Sequence, residues 1–164
     1  MTILISKAHC DIREIAKPDP SHYELLLDAD PLKARINEAL SIGKLFALYH
    51  EEELVGVLIL APRPQEKGAL EIMNIAVLEA YRRSGLATLL IEYAINEAIA
   101  EGYDSLLVGT GNSSFGAQAL YQKMGFRIDG IELNYFVEQY PFKIIENGIL
   151  CQDRINLRYL IKAD

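Results

Sequence analysis

Val77-Leu78-Glu79-Ala80-Tyr81-Arg82-Arg83-Ser84-Gly85-Leu86-Ala87-Thr88 joins two different periodicities. Upstream, Leu70, Ile72, Ile75, Ala76 and Val77 make a strand-like apolar run; downstream, Leu86, Leu89, Leu90, Tyr93, Ala94 and Ala98 recur at helical spacing. A strand that gives way to a helix at a small, basic, glycine-containing turn has the layout of a phosphate cradle. The unpaired N–H groups of the new helix, its positive dipole end, and Arg82 and Arg83 all address an anion placed at the turn. Gly85 lets the backbone come close, and Ala87 keeps the next turn slim. The competing reading is a plain helix entrance with two solvated arginines.

The flanking segments decide what kind of domain holds this turn. Leu45 to Tyr49 and Leu54 to Ala61 are apolar runs of strand length joined by His50-Glu-Glu-Glu53, which predicts a hairpin. Pro62 to Gly68 makes a second polar turn into the strand ending at Val77, so three strands form an antiparallel meander. The helix starting near Ser84 runs to Glu101 with Gly102 as its C′ residue, and Ser105 to Val108 is a buried-type strand. Strand, helix, strand in that order implies a right-handed crossover, which makes 70–77 and 104–109 parallel neighbours.

Thr110-Gly-Asn-Ser-Ser114 opens a further helix that closes at Lys123-Met-Gly-Phe126, with Gly125 at C′. Toward the start, Ile3 to Ile15 reads as a strand, and Ser21-His-Tyr-Glu24 as a capping box ahead of a short helix. Asp30-Pro31 then reads as the N-cap and first position of a second helix, whose amphipathic face is Leu32, Ile36, Ala39 and Leu40. Arg127 to Phe136 and Gln152 to Ile161 are two final strands, separated by an aromatic stretch through Phe142 and by Asn147-Gly148. The expected fold is α/β in the α+β sense: a mixed, mostly antiparallel sheet of six to seven strands with about four helices. With no repeat or linker, residues 1–164 are read as a single domain.

Composition narrows the function. A formal charge of −7 argues against general nucleic-acid binding and suits a cationic acceptor such as an amine. No apolar stretch reaches the roughly 18 residues needed to span a bilayer, and the first residues lack a secretory pattern. Cys10 and Cys151 lie far apart without a C-x-x-C, which points to thiols in a reducing, cytoplasmic setting. His9, His22 and His50 have no metal-ligand spacing, so no metal is expected. A Walker A loop is absent, and so is the full G-x-G-x-x-G of a dinucleotide site.

Arg82-x-x-Gly85-x-Ala87 resembles the Q/R-x-x-G-x-G/A pyrophosphate signature of the GNAT superfamily of acetyl-CoA-dependent N-acetyltransferases, and the order of elements is similar to that family from about residue 44 to 136. The resemblance implies a GNAT-like sheet whose parallel pair splays at the cofactor site. Backbone groups of Ile75, Ala76 and Val77 would pair with the pantetheine arm, while Arg82, Arg83, Ser84, Gly85, Leu86, Ala87 and Thr88 would hold the pyrophosphate of acetyl-CoA. It also implies roles for three further side chains. Glu71 lies where family members with a direct glutamate base carry it, and a protonated amine with a pKa of about 10.4 needs such a base. The alternative is a solvent-facing strand glutamate with a water relay in its place. Asn74 could orient that water, but regular alternation would put it on the opposite face from Glu71 unless a β-bulge intervenes.

Ala119-Leu-Tyr-Gln-Lys-Met-Gly-Phe126 closely resembles the family segment whose tyrosine protonates the departing CoA thiolate, which makes Tyr121 the candidate acid rather than a core aromatic. Asn112 sits where the family often contacts pantetheine, or else caps the following helix. Tyr135, Phe136, Tyr140 and Phe142, with Glu132 and Glu138, either line an acceptor pocket or pack a long loop. The implied activity is acetyl transfer to a primary amine of a small molecule or protein, with a homodimer compatible. The alternatives are a non-catalytic acyl-CoA-binding sensor or assembly module and a small NAD-binding domain. Glu101 and Asp104 stand near the ribose-binding spacing of the latter, but the meander counts against it.

Overall fold

The strand-to-helix switch lies at the middle of a seven-stranded sheet in the computed structural model, which describes residues 7–161. In chain order the first half comprises β1 (Cys10–Ile15), α1 (Pro20–Ala29), α2 (Lys33–Ile42), β2 (Lys44–His50), β3 (Glu53–Pro62), β4 (Ala69–Val77) and α3 (Leu86–Ala100). The second comprises β5 (Ser105–Gly111), α4 (Phe115–Lys123), β6 (Arg127–Glu132), α5 (Tyr135–Gln139), β7 (Ile145–Glu146), β8 (Ile149–Leu150) and β9 (Arg154–Leu160). The strand order β1-β2-β3-β4-β5-β9-β6 is antiparallel at every step except β4/β5. The expected class, meander and parallel pair are all present.

Each sheet face buries its own cluster. Leu48, Leu58, Leu60, Leu70, Ile72, Leu106 and Val108 pack against the apolar face of α3, which contributes Leu90, Ile91, Ala94 and Ala98. On the opposite face Leu45, Val57, Ile59 and Ala76 meet Leu25, Leu26, Ile36 and Ala39 of α1 and α2. The β2–β3 hairpin turns through Glu51 and Glu52, both left-handed at φ 48° and 70°, which matches the right-handed twist of the strands it joins. The predicted helix ends at Gly102 and Gly125 also hold, with φ of 80° and 103°.

Four expectations need correction. The strand predicted from Ile3 starts at Cys10, after a 3₁₀ turn over Lys7–His9, and residues 3–6 lie outside the described residues. The first helix is capped by Asp19 and not by Ser21: Asp19 accepts from the amides of Ser21 and His22, and His22 Nδ1 accepts from the Asp19 amide at 3.0 Å. Pro20 explains the shift, because its fixed φ and missing N–H suit the first helical position. The second helix starts at Lys33 with Leu32 as an uncapped N-cap, because Asp30 instead ends α1 and its carboxylate reaches Arg35 and Tyr140. Finally, β6 stops at Glu132. Asn134, left-handed at φ 62°, turns the chain so that Tyr135 and Phe136 begin a fifth helix instead of prolonging the strand.

Candidate active site

β4 and β5 pair only from Ala69–Ser105 to Ile72–Val108. Beyond that point β4 continues to Val77 and β5 to Gly111 with no pairing between them, and the gap opens into a cavity of about 1020 Å³. A bulge on β4 begins there. Leu60 pairs with Ile72 and Ile59 with Asn74, so Met73 is an extra residue. Leu70 and Ile72 belong to the α3 side, and so, past the bulge, do Ile75 and Val77. Asn74 therefore shares a face with Glu71, as Asn74 Nδ2 confirms by donating to Leu26 O of α1 at 3.1 Å. Asn74 is 6% exposed, lines the cavity, and its Oδ1 has no hydrogen-bond partner.

At the turn, α3 opens on Gly85 at φ 86° with no side-chain cap, so its first amides are left for another acceptor. A side chain at Gly85 would meet nothing within 4 Å, and the approach to those amides is open. Arg82 lines the cavity and donates from Nε to Val77 O at 3.3 Å, while Ser84 Oγ donates to Tyr81 O. Leu86, Ala76 and Val77 send their side chains into the cores and offer only backbone, and Ile75 lines the cavity. Arg83 on the turn, and Ala87 and Thr88 at the start of α3, are outside its lining. An uncapped helix start, a basic side chain beside it and an unpaired strand edge leading inward fit the pyrophosphate and pantetheine of an acyl-CoA.

Tyr121 projects from α4 into the same cavity, with its ring 5.5 Å from Phe126. Among the described residues its hydroxyl has no hydrogen-bond partner, and burial pushes the phenol above its ordinary pKa, so it keeps its proton. Glu71, only 12% exposed, accepts from Arg63 Nη1 on Oε1 at 2.9 Å; its Oε2 lies 3.7 Å from Arg154 Nη2, beyond hydrogen-bond distance. It is thus neither solvent-facing nor isolated. Asn112 is not in the cavity lining. Its Nδ2 donates to Leu150 O at 3.1 Å and its Oδ1 accepts from the amides of Gln152 and Asp153 at 2.8 and 3.0 Å. Asn112 therefore braces the β8–β9 loop, and the helix cap it was alternatively given falls to Ser114.

Opposite the turn, Tyr135, Phe136, Tyr140 and Phe142 line the cavity, whereas Glu138 does not and Glu132 accepts from Arg154 Nη1 at 3.2 Å. Two arginines that the sequence did not single out complete this wall. Arg35 donates to Asp30 Oδ2 at 3.1 Å and to Tyr135 Oη at 2.7 Å, and the guanidiniums of Arg35 and Arg154 lie 5.5 and 5.3 Å from the Tyr135 ring centroid. Burial alone would lower the Arg35 guanidinium, but its hydrogen bonds to Tyr135 and Asp30 and the neighbouring phenols of Tyr135 and Tyr140 hold it above its usual value. No local spacing announces this group, because its members are about a hundred residues apart in the chain.

A splayed parallel pair ending on an uncapped helix, with a buried phenol across the gap, is the architecture of a transferase that uses acyl-CoA. Residues 9–126 match the Acetyltransferase (GNAT) family. The chain is 43% identical to the uncharacterized N-acetyltransferase YvbK of Bacillus subtilis over 136 residues, 82% of this chain and 86% of that one. A GNAT family acetyltransferase from Elizabethkingia anophelis with acetyl-CoA bound superposes with a TM-score of 0.89 at 40% identity, covering 94% of this chain and all of that one. A Bacillus subtilis acetyltransferase in complex with CoA gives the same TM-score at 37% identity, covering 93% and 99% of the two chains. The chain belongs to the GNAT family of acetyltransferases. Among the described residues no helix is long and apolar enough to cross a membrane, and no cluster of His, Cys, Asp and Glu is placed to hold a metal ion.

Proposed function

We propose that the protein moves an acetyl group from acetyl-CoA to a primary amine, with Tyr121 as acid and Glu71 as base. The observation that carries this reading is that both side chains face one cavity at the splay, with an unengaged phenol and a carboxylate oxygen outside hydrogen-bond range of its neighbour. The turn from Arg82 to Thr88 is read as the pyrophosphate site and the edge of β4 from Ile75 to Val77 as the pantetheine site. Acetyl-CoA supplies the acyl group as a thioester. Glu71 Oε2 takes a proton from the ammonium so that its nitrogen can bond to the acyl carbon; as the carbon–sulfur bond breaks, the nitrogen loses its second proton to solvent and Tyr121 gives its proton to the sulfur.

For the same reading the acceptor is a small-molecule or protein amine, and the enzyme works in the cytoplasm as a monomer or homodimer. The test is release of CoA, measured as free thiol, from acetyl-CoA across a panel of amines, with cofactor affinity measured by calorimetry. Amine-dependent thiol release supports the reading. Tight CoA binding with no release over the panel replaces it with a binding module.

A further inference from the structure

We infer that the acceptor is an amine that also carries a carboxylate next to it, of the α-amino-acid type. The inference rests on the acetyl-transfer reading above and concerns the acceptor half of the same cavity. Glu71, Asn74 and Arg154 line it together. Glu71 Oε2 and Arg154 Nη2 face each other at 3.7 Å, too far apart for a hydrogen bond though both side chains are nearly buried. On the same face as Glu71, and lining the same cavity, Asn74 carries in Oδ1 an acceptor without a donor, its amide held in orientation by the bond from Nδ2 to Leu26 O.

An ion pair too wide for a hydrogen bond, with a spare acceptor on the face of its carboxylate, complements a short zwitterion. The ammonium of an amino acid lies two bonds from its carboxylate carbon. It can donate to Glu71 Oε2 and Asn74 Oδ1 while the carboxylate bridges to Arg154. Arg154 is prepared for this: Nη1 is fixed by Glu132 and Asn156, while Nε and Nη2 stay free of hydrogen-bond partners. Its guanidinium lies flat over Gly109, where a Cβ would come within 2.0 Å of Nε, so a residue with no side chain at the start of the splay is what lets the cation stand there. A lone amine would fill the acidic end and leave the guanidinium without its anion.

The experiment uses the whole protein with acetyl-CoA and three sets of probes: the standard free L-amino acids, their carboxyl amides, and the amines left when the carboxylate is removed. For the side chain that is accepted, kcat/KM for the free amino acid should exceed that for its amide by roughly 10²-fold, the worth of a charge-assisted pair. Arg154→Gln should bring that ratio to within a few-fold of one. Because Arg154→Gln also removes the Nη1 bonds to Glu132 and Asn156, Gly109→Ala serves as the second variant: it displaces the guanidinium without deleting it and should reduce the ratio in the same direction. Melting temperatures are taken for both. Amides or decarboxylated amines acetylated as well as the amino acids would overturn the inference while leaving the acetyl-transfer reading intact. So would a ratio that both folded variants preserve, or acetyl-CoA binding with no amino acid accepted. Failure to bind acetyl-CoA at all would overturn both.

Discussion

The two halves of the cavity are built in opposite ways. On the side proposed for the cofactor the groups come from one stretch of chain, residues 72 to 88, and the chemistry is that of the backbone: an unpaired strand edge and the first amides of α3. On the side proposed for the acceptor Asp30, Arg35, Tyr135, Tyr140 and Arg154 come from both ends of the chain, and the chemistry is that of side chains stacked on and bonded to one another. A backbone site is fixed once the local conformation is fixed. A side-chain wall can be changed residue by residue while the sheet stays put, so the first half can serve one cosubstrate while the second adapts to an acceptor.

Two substitutions at the seam between the halves test whether chemistry is concentrated there. Tyr121→Phe keeps the ring that packs on Phe126 and removes only the hydroxyl, so it should slow single-turnover acetyl transfer by about 10²–10⁴-fold at nearly constant melting temperature and CoA affinity. An unchanged rate would make Tyr121 a core residue. Glu71→Gln should slow transfer by about 10²-fold, again without weakening CoA binding. If the rate is kept, the base is a water held elsewhere on the wall.

The cofactor half is probed by two glycines of one helix. Gly85 and Gly102 flank α3 with nearly the same left-handed φ, 86° and 80°, and neither would place a Cβ against anything within 4 Å. Alanine at either should therefore cost a similar strain of about 1 kcal/mol, seen as a similar drop in melting temperature. Only Gly85→Ala also puts a methyl group at the mouth of the cradle, and it alone should weaken CoA binding, by roughly tenfold. Equal CoA affinity in the two variants would separate the turn from the cofactor.

This asymmetry also explains what the sequence made legible. Hydrophobic period and glycine placement are local, and they located the meander, the β4–β5 crossover, the helix ends at Gly102 and Gly125, and the strand-to-helix turn at Gly85. The β4 bulge was left open because a single extra residue, Met73, has no compositional mark; only the pairing of Ile59 with Asn74 reveals it. The bracing role of Asn112 was not legible, because its three bonds go to Leu150, Gln152 and Asp153, partners no spacing rule connects to it. The helix at Tyr135 was missed because Asn134 breaks a run of good strand formers with a left-handed residue. Arg35 and Arg154 escaped notice for the same reason as the rest of the wall: distant segments meet only once the sheet order is set.

The smallest expected effect tests whether that wall is held by its internal bonds. Tyr140 is buried and donates to Asp30 Oδ1 at 2.9 Å, while the same carboxylate receives Arg35. Tyr140→Phe removes one charge-assisted hydrogen bond, and near neutral pH it should cost about 1–2 kcal/mol of stability without altering CoA affinity. The pH dependence gives the sharper reading. Burial, and then the charge of Asp30, raise the Tyr140 phenol above its ordinary pKa, so the folded state binds this proton more tightly than the unfolded chain. Its contribution is therefore fully present below the unfolded tyrosine value of about 10 and is lost as pH rises beyond it toward the folded value. The wild-type melting temperature should fall more steeply than that of Tyr140→Phe above about pH 10, so the gap between them narrows in alkali. A gap that stays constant from neutral to alkaline pH would mean that the Tyr140 hydroxyl contributes nothing that depends on its proton, and the wall would then be held by packing of its rings alone.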